Sequence, residues 1–395
     1  MKKVLLTLAA AALLSLGLAQ NALSVWTHFG DTDLEWLQSQ AESFQGAFGV
    51  PVEITRIELG EIKQKMLLSA PQGEAACLVM PIPHDQLGEM AAGGVLADMS
   101  QYATADYLAD LTEQARSAFT FNGKLFGLPL YVEGPALIIN SDLVPEDPAT
   151  YEEMIAKAQE LTDGDTFGFL YHQGNFYFDY NWLNSFGGYV FSRNDAGDYD
   201  VSDIGLANEG AVQGAEELRK LRYEYGLIPA GTDTAVAEGL FNEGSLGMIY
   251  NGPWSIANSR AAGVNLRVIP IPPTESGVQF GGFMGVQGVL MNEFCADKTT
   301  AANFAKWLTR PDAQVELAQL SGRIPASQGA AAQVSDDPVI SGFAAALANA
   351  VPMPNIPEMG NVWGPMGDAI TVILDNPDSS ASDTLNGAVN QIQGN

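Results

Sequence analysis

Over residues 22–94 the chain alternates short apolar runs with helical periodicities, and that alternation restricts the fold more than any other feature. Residues 22–29 read as a strand. Thr32 with Glu35 three positions on is a capping-box signal, and Leu34, Leu37, Ala41, Phe44 and Phe48 follow at helical spacing. Residues 52–57 form a β-branched strand, 61–69 a helix and 75–81 a third strand, and a further helix is stopped by Gly93-Gly94. Strand–helix–strand order of this kind predicts parallel strands joined by right-handed crossovers, hence an α/β fold.

The first nineteen residues precede this pattern and differ from it. Lys2 and Lys3, an apolar run to Leu18, and small residues at Gly17 and Ala19 describe a secretory signal peptide cleaved near Ala19. No cysteine follows the apolar run, so a lipid anchor there is not expected. The roughly 375 residues that remain exceed what one core serves, so two domains are expected. The balance of 18 Lys+Arg against 47 Asp+Glu gives a net charge of −29, which repels phosphate backbones and anionic membranes and excludes nucleic acid as a partner. Cys77 and Cys295 are too few for a disulfide framework; one bridge and two buried thiols both stay open.

The later chain continues the helical and extended pattern with three unusual stretches. Phe121-Asn122-Gly123-Lys124 signals a hairpin, and residues 125–140 are extended but interrupted by Pro129, Gly134 and Pro135, as a passage between domains would be. Thr150 with Glu153 is a second capping box. Residues 176–191 hold eight Phe, Tyr or Trp mixed with Asn and Asp, more polar than a core helix needs. A helix over 235–241, stopped by Asn242-Glu243-Gly244, leads to a strand at 246–250 that Asn251-Gly252-Pro253 ends, leaving Trp254 just past its carboxyl end. Open α/β sheets hold ligands there, although a tryptophan is as readily core. Residues 351–363, with three prolines before Trp363, read either as a surface linker or as a ligand loop.

Catalytic and cofactor motifs are missing: no GxSxG, HExxH, zinc-type CxxC, Walker loop or GxGxxG after a strand. His28, His84 and His172 are scattered and suggest no metal, and no cofactor is expected. What is left is aromatics and carboxylates at strand ends and turns, a combination suited to carbohydrate, whose CH faces stack on rings while its hydroxyls need partners. Asp31 and Asp85 follow strands of the first domain, and Glu133 lies in the passage. Two of these carboxylates could equally serve a glycosidase as acid and nucleophile.

Several long stretches, in order, carry a resemblance. FNGKLFGLPLYVEGPALIINSDLVP (121–145), FNEGSLGMIYNGPW (241–254) and MPNIPEMGNVW (353–363), with PIPHDQLGEMAAGGVL (81–96) and GGYVF (187–191), are similar to bacterial periplasmic sugar-binding proteins of ABC transporters, the extracellular solute-binding family 1, and within it to the maltose/maltodextrin-binding kind. The resemblance covers nearly the whole chain beyond the leader. It implies two α/β lobes, each a mostly parallel sheet flanked by helices, over 20–131 with 284–325 and over 132–283 with 326–395, joined by three hinge segments near 131–135, 280–284 and 324–328. It implies stacking of sugar on Trp254, Trp363 and Tyr177, with Asp85 and Glu133 accepting hydroxyl hydrogen bonds and Met353 on the cleft wall. Asp31, His84 and Glu61 complete the sugar-contact set that it suggests.

By the same resemblance the chain is expected to be not an enzyme but a monomeric binding subunit that takes maltose or a maltodextrin in the cleft and delivers it to a membrane permease, with trehalose or sucrose as other disaccharide ligands. Three departures stand out: Gly364 and Gly367 replace a Tyr and an Arg of the pattern, and Gln86 replaces an Arg. They imply a roomier cleft. The implied topology also brings the strand ending near Met291 back antiparallel beside the one starting near Ala76, which would put Cys77 and Cys295 close together.

Overall fold

The computed structural model describes residues 22–194 and 197–394; the expected signal peptide at 1–19 lies outside them. Eleven strands build its two main sheets: β1 (Leu23–Thr27), β2 (Val52–Arg56), β3 (Leu78–Pro83), β4 (Gly127–Glu133), β5 (Ala136–Asn140), β6 (Phe167–Leu170), β7 (Leu246–Asn251), β8 (Leu266–Ile269), β9 (Phe283–Met291), β10 (Ile324–Pro325) and β11 (Val351–Pro352). Four helices frame the site: α1 (Asp31–Phe48), α2 (Leu59–Ser69), α3 (Phe176–Ser185) and α4 (Trp363–Asp375).

The molecule is two-lobed and α/β. The first sheet has the order β10-β4-β9-β3-β1-β2, with β11 paired to β9. The second has the order β8-β5-β7-β6. Both are mixed rather than mostly parallel. β1 runs parallel to β2 and β3, but β9 is antiparallel to β3 and β4, and β4 to β10. In the second sheet only β7 and β6 are parallel, while β5 is antiparallel to β7 and β8. Parallel neighbours need a crossover that returns the chain to the same edge; strands that arrive from the other lobe carry no such constraint.

The chain passes from one sheet to the other between Glu133 and Ala136 and between Ile269 and Phe283, and after Pro325 it leads to the helix Pro338–Ala346, which packs on β8 of the second sheet. The apolar cores divide accordingly. One gathers Val25, Leu78, Leu130, Val289 and Phe304; the other gathers Ile138, Phe169, Trp182, Met248 and Phe343. Cys77 and Cys295 form a disulfide, 218 residues apart in sequence, wholly within the first lobe. Asn292 N–H donates to the Cys77 carbonyl at 2.9 Å, so the β9 end lies beside the β3 approach as the bond requires.

Local signals fared unevenly. The hairpin at 120–125 forms, with Asn122 and Gly123 both at positive φ (49° and 74°), as a two-residue turn of this twist demands. Thr150 Oγ1 accepts from Glu153 N–H, while the Glu153 carboxylate turns back to Ala149 N–H. The expected capping box at Thr32 does not form. Gly30 is the N-cap and no side chain caps α1, which starts at Asp31, a residue itself at φ 46°.

Candidate functional site

Both lobes contribute to a cleft of about 720 Å³ lying at the carboxyl ends of β1, β3 and β7. Open α/β sheets leave a crevice there because the strand ends diverge into loops while the sheets stay packed.

One wall comes from the first lobe and is polar. Asp31 and Asp33 sit in the first turn of α1, Lys63 on α2, and Arg56 ends β2. Asp85 is half-buried just past β3. Burial pushes its carboxyl up to about 7, against the opposing pull of the Lys63 ammonium and the Trp363 indole across the cleft. Lys63 is itself anchored to Glu89 at 2.7 Å.

The facing wall is aromatic. Trp254 occupies the short turn Pro253–Ser255 just past β7, and its ring folds back so far that a Cβ on Gly252 would lie 2.1 Å from it. A side chain at Gly252 would push the ring aside, which explains Asn251-Gly252-Pro253 as a mount for it. Tyr177 stands 6.2 Å from Trp254 between ring centroids, and Phe283, at the start of β9, lies 6.3 Å behind Tyr177 and 5.6 Å from Trp363. Trp254, Tyr177 and Trp363 are each partly exposed, whereas Phe283 is buried. Together they make a continuous apolar face at the cleft.

The aromatic segment at 171–191 is chiefly core. Trp182, Tyr180 and Phe178 are buried, and Asp179 is fully buried, accepting from Tyr171 O–H and Gly174 N–H at 2.8 Å each. Those bonds pin the turn that starts α3. Asn175 caps that helix by accepting from Tyr177 N–H, and only Asn175, Tyr177 and Phe178 reach the cleft. The polarity of the stretch thus serves to fix a helix start rather than to line a surface.

The floor is built where the chain passes between lobes. Glu133 ends β4, Gln287 lies on β9, and Arg323 immediately precedes β10. Gln287 Nε2 donates to Glu133 Oε1 at 2.8 Å. Arg323 Nη1 lies 2.7 Å from Asp33 Oδ2 and its Nε 3.5 Å from Glu133 Oε2. The guanidinium also lies 4.8 Å from the Tyr131 ring centroid and 5.4 Å from that of Phe29. Burial raises both carboxyls, and the guanidinium opposes that rise.

Of the residues singled out from sequence, Asp31, Asp85, Glu133, Tyr177, Trp254, Met353 and Trp363 line the cleft. Two do not. Glu61 is exposed on α2 and pairs with Lys65 at 2.9 Å; Gly60 and Lys63 occupy the side of that helix turned to the cleft. His84 is 1% exposed, and its Nδ1 accepts from Val286 N–H at 3.1 Å, so it ties β3 to β9 beneath the site. Burial lowers its pKa to about 4, keeping it neutral. Asp33, Lys63, Gln287 and Arg323 escaped sequence reasoning. The available signal for Arg323 was its place at the third passage, as one of few cations in an acidic chain. Cβ atoms at Gly364 and Gly367 would meet nothing within 4 Å, so open space stands at both departures.

The fold has close counterparts. A structure titled as Thermus thermophilus maltotriose binding protein bound with maltotriose is 44% identical, with a TM-score of 0.91 over 94% of this chain and 99% of its own. A cyclo/maltodextrin-binding protein complexed with maltotetraose is 31% identical, with a TM-score of 0.80 over 95% of this chain and 97% of its own. Among curated proteins, the galactooligosaccharide-binding protein of Bacillus subtilis (strain 168) is 30% identical over 85% of this chain and 81% of its own. The maltotriose-binding protein of Pyrococcus abyssi is 29% identical over 89% and 77%. The model of the bacterial extracellular solute-binding protein family matches residues 39–342, and the chain belongs to that family.

Proposed function

We propose that the protein binds a short maltodextrin, with maltotriose as its reference ligand, and delivers it to the membrane permease of an ABC importer. The observation that carries this is one cleft with an aromatic wall facing a polar one, in a chain 44% identical over nearly its whole length to a maltotriose binder. Trp254, Tyr177 and Trp363 stack on sugar rings. Asp31, Asp85 and Glu133 accept hydrogen bonds from hydroxyls that would otherwise lose water without replacement. Met353 closes the wall.

The three passages near 131–135, 280–284 and 324–328 act as the hinge between a lobe of 20–131 with 284–325 and a lobe of 132–283 with 326–395. Sugar favours the closed arrangement because only then do both walls touch it. The protein works as a monomer in the periplasm after export through residues 1–19. It carries out no chemistry, in keeping with its membership of a solute-binding family.

Calorimetric titration with maltose, maltotriose, maltotetraose, a galactooligosaccharide, trehalose and sucrose tests the ligand. Binding strongest for an α-linked glucose oligomer is expected; no heat from any of that class, or tighter binding of the galactooligosaccharide, overturns it. Sustained release of glucose from maltotriose overturns the absence of catalysis.

A further inference from the structure

We propose that Arg323 is a positioning residue of the sugar site, holding Asp33 and Glu133 as two fixed carboxylate acceptors by serving both from the third passage between the lobes. This rests on the sugar-binding function proposed above.

The geometry is that of one cation shared by two acids. Arg323 lies 2.7 Å from Asp33 Oδ2 and 3.5 Å from Glu133 Oε2, and all three side chains are largely withdrawn from solvent, at 4%, 13% and 7% exposure. Among the described residues, Asp33 Oδ1 and Glu133 Oε2 are buried without a hydrogen-bond donor, and Arg323 Nε and Nη1 without a hydrogen-bond acceptor, so the guanidinium acts on the two acids by its nearby charge rather than by aligned hydrogen bonds. The guanidinium is therefore the chief counterweight to two negative charges in a poorly hydrated place. Without it, two neighbouring buried carboxylates cannot both stay ionised, and one takes up a proton. A protonated Glu133 is a donor on one oxygen and a poorer partner for sugar hydroxyls.

The position also matters. Glu133 ends β4, Gln287 lies on the adjoining strand β9 and Arg323 immediately precedes β10, so one connected set of side chains runs across three neighbouring strands of the first sheet beneath the cleft. Arg323 lies against the stacked pair of Phe29 and Tyr131, whose centroids are 6.5 Å apart and 5.4 and 4.8 Å from the guanidinium. Its surroundings contain few other charges. Among the described residues, Asp31 on α1, Arg56 at the end of β2, neutral His28 after β1, and Tyr131 and Tyr177 lie around the triad, and Asp85 faces Tyr177 from the other side.

Maltotriose titrations of the native protein, Arg323→Lys and Arg323→Met from pH 5 to 8.5 test this. Asp85 also titrates in this window, so the three proteins are compared in an Asp85→Asn background, where affinity should still fall as pH drops because Asp33 and Glu133 become protonated. Arg323→Met should bind at least tenfold more weakly at pH 7, and its acid-side loss should begin at least one pH unit higher. Arg323→Lys should restore most of the native profile. A role in packing alone would lower affinity without moving the pH dependence, and a Met variant whose profile parallels the native one overturns the proposal. If circular dichroism shows that the Met variant does not fold, Asp33→Asn decides. Leaving the whole cation to Glu133 should move the acid-side loss to lower pH, and an unmoved profile overturns the proposal. Native protein that gives no heat with maltotriose at any pH overturns the sugar function itself, and this proposal with it.

Discussion

The two lobes meet one cleft with different chemistry. The first presents Asp31, Asp33, Arg56 and Asp85, each placed by a strand end or helix start, with Lys63 from within α2; the second presents Tyr177, Phe178, Trp254 and Trp363, backed by Phe283. A hydrogen bond weakens steeply with angle, whereas ring stacking tolerates sliding. The polar wall is thus suited to selecting one orientation of a sugar and the aromatic wall to accepting successive rings. The lobes differ in construction too, since only the first is covalently stapled among the described residues.

The largest expected effect probes that second difference. Cys77→Ser with Cys295→Ser opens a bridge spanning 218 residues and should lower first-lobe stability by roughly 5 kcal/mol on the chain-entropy scale. Denaturant unfolding followed by probes in each lobe measures it. Equal losses in both would mean that the lobes unfold as one unit.

Next is the floor of the polar wall. Glu133→Gln keeps the shape and removes the charge, and should weaken maltotriose binding by about 2–3 kcal/mol, the scale of hydrogen bonds to a charged group. Unchanged affinity in a titration would leave selection to the other carboxylates. On the aromatic wall, Trp254→Ala should cost about 2 kcal/mol of binding, by lost stacking and burial, and to a similar extent for maltotriose and maltotetraose. An intact fold with native affinity would return Trp254 to a core role.

The smallest effect is a pair of opposite trends with pH. Asp85 titrates at about 7 in the folded chain against 3.8 for the ordinary side chain, so the folded state holds the proton more tightly. Between those values its contribution to stability grows as pH falls, while its capacity to accept from a sugar hydroxyl declines. Thermal melting and titration at pH 8 and 5.5 should therefore move in opposite directions in native protein and lose that opposition in Asp85→Asn.

Much of the fold was legible in sequence because periodicity and turn chemistry are local. The strand at 52–56, the Asn122-Gly123 hairpin and the strand leading to Trp254 all follow from neighbours within a few residues. Sheet direction was not local: β9 lies between β3 and β4 only because the chain returns from the other lobe. The same holds for the site. Asp85, Trp254 and Trp363 lie next to strand ends or loops that sequence marks, whereas Asp33, Gln287 and Arg323 come together across about 290 residues of chain, and nothing in their neighbourhoods announces it. Glu61 and His84 show the converse. Each adjoins a cleft residue in sequence, but helix rotation turns Glu61 to solvent, and the bond from Val286 draws His84 beneath the site.

Sequence by itself determined the α/β class, the two lobes, the turn that mounts Trp254 and the family, because these rest on residue type, spacing and ordered motifs. Tertiary structure alone decided the mixed sheets, the closure of Cys77 on Cys295 and the sharing of one buried guanidinium by two carboxylates. Those depend on which distant segments pack together, and burial gives a charge its partner only once the packing exists.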